Sequence, residues 1–187
     1  MKKEFKEYTI PFVGLKIGKH QFDYEINRTF FELFGFDDFN DANVDVLLTL
    51  EKKANMLELN FQVKGSVNVD CDITMEAYDE QISNEIDLIV KFGEAYEEVN
   101  EELLIIPHGE YQLEVQQYIY EAIVLAMPLK RVHPGVEDGT LDSVILQKLE
   151  ELKPQISEKD LEDKENKEED QAIDPRWNKL KDLLKDK

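Results

Sequence analysis

The stretch Leu57–Ala77, LELNFQVKGSVNVDCDITMEA, decides the fold. Its odd-numbered residues are all apolar or glycine, whereas nearly all its even-numbered residues are polar. This period of two predicts β-structure with one buried face and one solvent face. Because the stretch is longer than a usual strand of about 3–10 residues, we expect a break or bulge at Gly65–Ser66 that divides it into two strands.

The same alternation extends to neighbouring segments. Apolar residues occupy every second position over Val44–Leu50, over Ile86–Phe92 and over Phe22–Ile26. Strands with one buried and one solvent-exposed face are typical of antiparallel sheets. We therefore predict an antiparallel β-meander that is curled into a barrel-like sheet.

Two shorter features lie within the first 35 residues. The run Tyr8–Val13 is β-like, and Pro11 marks it as an edge strand or a bend. The segment Thr29–Gly35 predicts a short helical turn that Gly35 closes. We expect the aromatic residues of this turn to lie in the core.

After residue 110 the period changes to that of helices. Apolar residues recur at helical spacing over Leu113–Met127, and Pro128 ends the run. The apolar face is wide, so this helix should pack across the sheet. A second amphipathic helix is predicted over Leu141–Leu152, with Thr140 as its N-cap. The fold class is therefore α+β.

The C-terminal third changes in composition. The run EKDLEDKENKEED, residues 158–170, holds one apolar residue and cannot bury enough surface to offset its ordering entropy. We predict a single α+β domain over residues 1–153, an acidic, disordered linker over 154–173, and a short C-terminal helix over 174–187. In that helix Asp174 is the expected cap and Pro175 the first residue.

Charge restricts the classes of partner. The 187 residues include 42 acidic and 22 basic side chains, a net charge of −20. Such a surface disfavours phosphate binding and anionic membranes. No segment approaches the about 20 apolar residues of a membrane span, and the N-terminus lacks the apolar core of a signal peptide. We therefore expect a cytoplasmic protein without membrane contact, and the single Cys71 excludes an internal disulfide.

Motifs of catalysis are missing from the sequence. It contains no phosphate-binding glycine loop, no zinc-protease motif and no serine-hydrolase elbow. The three histidines are scattered, and His133, beside Pro134–Gly135, is the most site-like of them. Cys71 occupies one of the odd-numbered, apolar positions of its strand, and we expect it to be a small buried hydrophobic residue. We expect no catalysis, no cofactor and no metal.

The only tryptophan lies in the net-basic segment 174–187. Two interpretations stay open: a terminal helix that docks on the domain, or a tethered recognition helix that inserts Trp177 into a partner. Direct RNA contact is possible only through this segment. The candidate partner-binding residues are Asp174, Pro175, Arg176, Trp177, Lys179, Leu180 and Leu183.

Three motifs in this order resemble one family. They are Lys64–Asp72 (KGSVNVDCD), the block Val99–Pro107 (VNEELLIIP) with the helix that leads to Ala126–Leu129, and Asp174–Leu180 (DPRWNKL). The order is similar to that of the YceD family, the large ribosomal RNA subunit accumulation proteins. The resemblance extends from about Ser66 to Leu184.

The chain departs from the family at one place. Many members carry C-x-R-C at the first motif, where this chain has Cys71-Asp72-Ile73-Thr74. Some members carry a further cysteine after the helix, where this chain has the sequence KRVH, residues 130–133. A metal or redox role is therefore not carried over, and Cys71 and Asp72 mark a family-motif position that we interpret as packing.

The resemblance implies a non-catalytic ribosome biogenesis factor that supports accumulation of large-subunit (23S) rRNA. Family genes often neighbour that of a small basic large-subunit ribosomal protein, so the implied partner is such a protein or a pre-large-subunit particle. The acidity of the chain is compatible with a basic partner. The alternatives are a small-molecule-binding β-barrel or sandwich, an enzyme with an unfamiliar site, and an acidic scaffold without a ribosomal link.

Overall fold

The computed structural model describes residues 7–141 and 144–152. The chain forms two compact units that divide at residue 143. The first unit holds the sheet, and the second contains helix α4, Val144–Leu152, within the predicted second amphipathic helix. The predicted linker and C-terminal helix lie outside the described residues, and the predicted domain limits stay predictions.

The first unit is built on a six-stranded, mostly antiparallel sheet. Along the sheet the strands follow the order β2-β3-β4-β5-β7-β6, and a separate two-stranded sheet pairs β1 with β8. The strands are β1 Thr9–Ile10, β2 Gly18–Asn27, β3 Asp41–Lys52, β4 Met56–Asp70, β5 Ala77–Gly93, β6 Glu97–Asn100, β7 Leu103–Pro107 and β8 Leu113–Glu114.

The alternating stretches share one buried face, as predicted. Leu48 on β3 lies opposite Phe61 on β4, and Leu59 lies opposite Leu88 on β5. All four side chains are buried. The polar positions between them face the other side, so burial of one face fixes the register of β2–β5.

The expected break at Gly65–Ser66 is wrong. Strand β4 continues through Gly65 to Asp70 with unchanged alternation, and the chain turns over residues 71–76 instead. Gly65 pairs with Val44, and a Cβ at Gly65 would lie 2.3 Å from the carbonyl oxygen of Asn43. The glycine therefore allows close approach of two backbones and does not interrupt the strand.

The predicted meander is confirmed for β2–β5, the segments that it covered. After Gly93 the chain forms β6, then returns as β7 between β5 and β6. Strand β7 is parallel to β5 and antiparallel to β6. Strands β2 and β6 end the sheet, which is not closed, so the barrel-like shape is not confirmed.

The predicted helical turn is α1, Arg28–Glu32, and its aromatic residues are in the core as expected. The side chain of Asn27 accepts a hydrogen bond from the N–H of Thr29 at 3.1 Å, and Gly35 ends the turn with φ of +67°. The β-like run at Tyr8–Val13 is shortened to β1 and a 3-10 helix, Phe12–Gly14, on either side of Pro11.

The predicted main helix is α2, Gln116–Ala126, and it packs against β4 and β5 as expected. Ile119, Ala122 and Ile123 face the sheet and are fully buried. The Nδ2 of Asn84 on β5 donates to the carbonyl oxygen of Ala122 at 2.9 Å. A ring stack between Phe34 and Tyr120, with centroids 4.4 Å apart, fixes the other side of the helix.

At Pro134–Gly135, where a turn is expected, the chain forms one turn of helix, α3, Pro134–Glu137. Among the described residues, no helix has both the length and the apolar composition needed to cross a membrane.

Candidate functional site

The predicted partner-binding residues of the C-terminal segment lie outside the described residues. These are Asp174, Pro175, Arg176, Trp177, Lys179, Leu180 and Leu183. Their role stays a prediction. The family-motif residues Cys71 and Asp72 are described, and both lie in the turn that follows β4.

The turn over residues 71–76 is tightly closed. The N–H of Cys71 donates to the carbonyl oxygen of Glu76, and the N–H of Met75 donates to that of Cys71, each at 2.9 Å. Met75 takes a left-handed conformation with φ of +60°. The side chains of Cys71 and Thr74 are buried. Burial of Cys71 was predicted from its place among the apolar positions of the strand.

The Cys71 sulfur accepts hydrogen bonds from its surroundings. The N–H of His133 donates to Sγ at 3.3 Å, and the amides of Ile73 and Thr74 and the Thr74 hydroxyl also interact with it. Burial alone would raise the pKa of the Cys71 thiol. The hydrogen bonds outweigh burial and lower the pKa, because they favour the thiolate.

Asp72 and Arg131 form a two-way connection between the turn and the segment after α2. The N–H of Asp72 donates to the carbonyl oxygen of Arg131, and the N–H of Arg131 donates to Oδ2 of Asp72, each at 2.8 Å. The Arg131 guanidinium then reaches Asp38, where Nη1 donates to the carbonyl oxygen at 3.0 Å and Nη2 contacts the carboxylate. The ion pair and the hydrogen bond raise the pKa of Arg131.

His133 completes this connection, which we call the Cys71 latch: Cys71, Asp72, Arg131 and His133. Nδ1 of His133 accepts a hydrogen bond from the N–H of Gly135 at 2.9 Å and so caps α3. The imidazole also makes an edge contact with the ring of Tyr78 on β5, at 5.3 Å between centroids. The latch thus ties the end of β4 to the chain that leaves α2.

The latch positions main-chain groups and does not assemble a metal centre within the described part of the chain. No group of three or more His, Cys, Asp or Glu side chains there is placed to hold a metal ion. Thr74 stands where many family members have the second cysteine, and it supplies a hydroxyl near Cys71 instead of a thiolate. The arrangement is suited to structural stabilisation.

A second candidate site lies on the uncovered face of the sheet. Amides on β4 donate to carboxylates on β5: Nδ2 of Asn60 reaches Glu85 at 2.7 Å and Asp87 at 2.8 Å, and Nδ2 of Asn68 reaches Asp79 at 2.7 Å. Bonds from Asn60 and Gln62 lower the pKa of Glu85. These bonds favour the charged form of Glu85, and the three hydrogen-bonded carboxylates form a negative row along β5.

A groove of about 580 Å³ lies beside this row, between β5, α2 and the turn that connects β6 with β7. We call it the β5–α2 groove. Five of its lining residues are acidic and none is basic. Its lining residues are Glu85, Ile86, Asp87, Glu101, Glu102, Tyr118, Tyr120, Glu121, Val124 and Leu125.

Negative charge also affects Tyr118, one of the two tyrosines that line the groove. Burial raises the pKa of Tyr118, and Tyr96, Glu98 and Glu121 raise it further because they disfavour a second negative charge nearby. The Oη of Tyr96 donates to Glu98 at 2.8 Å. The groove thus combines an aromatic and aliphatic floor with a strongly negative rim.

Comparison with known families assigns the chain to one of them. The model of the family described as large ribosomal RNA subunit accumulation protein YceD matches residues 59–184, more than half of the chain. The chain belongs to the YceD family. The resemblance predicted from the motifs is thereby confirmed, and the match begins within β4, before the predicted start at Ser66. No curated protein and no solved structure matches the chain significantly.

The YceD match covers both candidate sites. It includes the end of β4, the Cys71 latch, β5 and α2, whereas β1–β3 precede it. Sequence reasoning singled out Cys71, Asp72 and His133 but missed Arg131 and the groove. The sequence KRVH at the family's later cysteine position was the signal that could have linked Arg131 to the Cys71 turn.

Proposed function

We propose that this YceD-family protein is a non-catalytic ribosome biogenesis factor that supports accumulation of large-subunit (23S) rRNA. The match over residues 59–184 carries this proposal, because the family description names large ribosomal RNA subunit accumulation. The place of action is the cytoplasm, where bacterial-type ribosomes are assembled. The burial of Cys71 and the hydrogen bonds of the Cys71 latch support a structural role for the family-motif residues.

The proposed mechanism is binding of a basic large-subunit ribosomal protein or of a pre-large-subunit particle. The negative row on β5 and the acidic rim of the β5–α2 groove support it, because complementary charge speeds encounter and suppresses wrong partners. An acidic surface would shield such a protein from incorrect RNA contacts until it reaches its site. Direct RNA contact is proposed only for residues 174–187, which are net basic.

The small-molecule-binding alternative has less support. In a ligand-binding barrel the inner face of the sheet lines a chamber. Here the buried side chains of β4 and β5 pack against α2 on that side of the sheet. The observations favour a protein that presents its outer surface to a macromolecule.

The test is affinity purification of the tagged full-length protein at low and high salt. Mass spectrometry and rRNA quantification of the bound material separate a protein partner from an RNA partner. We expect basic large-subunit proteins at low salt and strong depletion of them at high salt, because the exposed charges are screened. Recovery of the same partners at both salt concentrations would contradict the electrostatic mechanism.

A further inference from the structure

We propose that the β5–α2 groove binds an extended, Lys/Arg-rich segment of a protein partner, which adds as a strand to the free edge of β5. The inference rests on the proposed function, since it names the surface that takes the basic ribosomal partner. Three independent features of the groove carry it: an unpaired strand edge, an apolar floor and an acidic rim.

The strand edge is the first feature. Strand β5 pairs with β4 along Ala77–Lys91, whereas β7 covers its other edge only over Ile89–Gly93. Within residues 7–141, the edge of β5 before Ile89 therefore has no strand partner. Such an edge presents main-chain groups to an incoming strand, and strand addition to an edge is a recurrent mode of peptide recognition. Within the groove the N–H of Glu85 donates to Oδ1 of Asn84 at 2.9 Å, so an added strand would take the place of this local bond.

The apolar floor is the second feature. Tyr118, Val124 and Leu125 of α2 lie beside Ile86, near the end of the free edge at which β7 begins to pair. Leu125 is 73% exposed, although it belongs to the helix that forms the core contact with the sheet. An added strand would direct every second side chain towards this floor. The groove is thus suited to a segment with apolar residues at alternate positions.

The acidic rim is the third feature and selects the chemistry of the partner. Glu85 and Asp87 lie on the strand, Glu101 and Glu102 on the β6–β7 turn, and Glu121 on the helix. Carboxylates from three elements therefore surround the floor, and no lysine or arginine of the described residues lines the groove. This field repels nucleic acid phosphates and attracts lysine and arginine side chains. A basic protein segment fits it, and RNA does not.

A second copy of the chain is a poorer occupant. Pairing of two β5 edges would bring the carboxylates of both strands, among them Asp79, Glu80 and Glu85, against one another. Like charges that face each other across strands are destabilising. The acidic side chains thus protect the edge from self-association while leaving it open to a basic strand.

The experiment measures binding of a fluorescein-labelled probe peptide, acetyl-Lys-Val-Lys-Leu-Arg-Val-Lys-amide, to the full-length protein by fluorescence anisotropy. The test variant is Glu85→Lys/Glu121→Lys. The matched control, Asp23→Lys/Asp45→Lys, makes the same charge change at exposed positions of β2 and β3, on the far side of β4. We expect the test variant to weaken binding at least about tenfold and the control less than about threefold. Equal weakening by both variants would overturn the proposal, because only net charge would then matter.

Two further measurements test the mode of binding. The same peptide with N-methyl groups on its three central main-chain nitrogens keeps the charge but cannot pair as a strand, so we expect binding at least about tenfold weaker. Leu125→Ser, at an exposed site, is expected to weaken the unmodified peptide about threefold to tenfold without loss of folding. Undiminished binding of the methylated peptide would overturn strand addition.

Failure of the groove and failure of the proposed function are distinguishable. If the probe and the basic proteins recovered from cells bind Glu85→Lys/Glu121→Lys as tightly as wild type, the groove assignment is wrong while a role in rRNA accumulation is untouched. If depletion of the protein leaves rRNA levels unchanged, the proposed function fails whatever the peptide binds.

Discussion

The main-chain N–H of His133 donates to the sulfur of Cys71 at 3.3 Å, across 62 positions of the chain. This bond joins the turn after β4 to the segment that follows α2. Helix α2 covers the sheet and lines the β5–α2 groove, and the Cys71 latch anchors the segment that leaves this helix. The latch therefore links the family-motif position to the proposed binding surface.

Replacement of Cys71 by alanine should destabilise the protein. The change removes a buried sulfur and leaves the His133 N–H without its acceptor, so we expect a loss of about 1–3 kcal/mol in the free energy of unfolding. Urea denaturation followed by circular dichroism measures it. An unchanged midpoint would show that the latch contributes nothing to stability.

The Cys71 effect should also depend on pH. The pKa of Cys71 is lowered in the folded protein, so over the alkaline range the unfolded chain binds more protons than the native state. The stability contribution of the thiolate is therefore present above the ordinary thiol pKa and is lost as the pH falls through the folded pKa. We expect the difference between wild type and Cys71→Ala to grow as the pH rises towards the ordinary thiol pKa of about 8.5. Val69→Ala, a buried truncation on the same strand face, should show a pH-independent loss.

Arg131 should stabilise the fold through the geometry of its guanidinium group. Arg131→Ala removes both contacts to Asp38, and we expect a loss of about 1–2 kcal/mol in thermal or urea unfolding. Arg131→Lys should restore less than half of it, because a single ammonium does not reproduce the two-pronged contact. The neighbouring exposed Lys130→Ala serves as control and should be neutral. Full recovery by lysine would show that charge alone is required.

Gly65 should tolerate no side chain. Gly65→Ala places a Cβ 2.3 Å from the Asn43 carbonyl oxygen and 2.6 Å from Cα of Val44, so β3 and β4 must separate. We expect a loss of about 2–4 kcal/mol, measured by urea denaturation. Gly109→Ala, where nothing lies within 4 Å of the added Cβ, should change stability little. Similar midpoints for the two variants would contradict the close approach.

The period-two pattern was sufficient to predict strands β2–β5 and their buried face. Burial of one face of a sheet requires an apolar residue at every second position, and the sequence shows this directly. The pattern did not predict β7, because the run Leu103–Ile106 is apolar throughout and shows no alternation. Gly65 was misread for a related reason. A glycine within an alternating stretch indicates either a bulge or a close backbone approach, and only the paired strand distinguishes them.

The Cys71 latch was only partly predictable. The motif order singled out Cys71 and Asp72, but Arg131 is 59 positions from Asp72 and 93 from Asp38. Contacts at such separations leave no periodic trace in one sequence. The β5–α2 groove escaped prediction because its acidic residues come from a strand, a turn and a helix, and acidic residues are abundant throughout the chain.

The ratio of large-subunit to small-subunit rRNA after depletion of the protein is the measurement that tests the proposed function most directly. Cells depleted of the protein should lose large-subunit rRNA relative to small-subunit rRNA, and expression of the wild-type chain should restore the ratio. An unchanged ratio in cells verified to lack the protein would contradict the account.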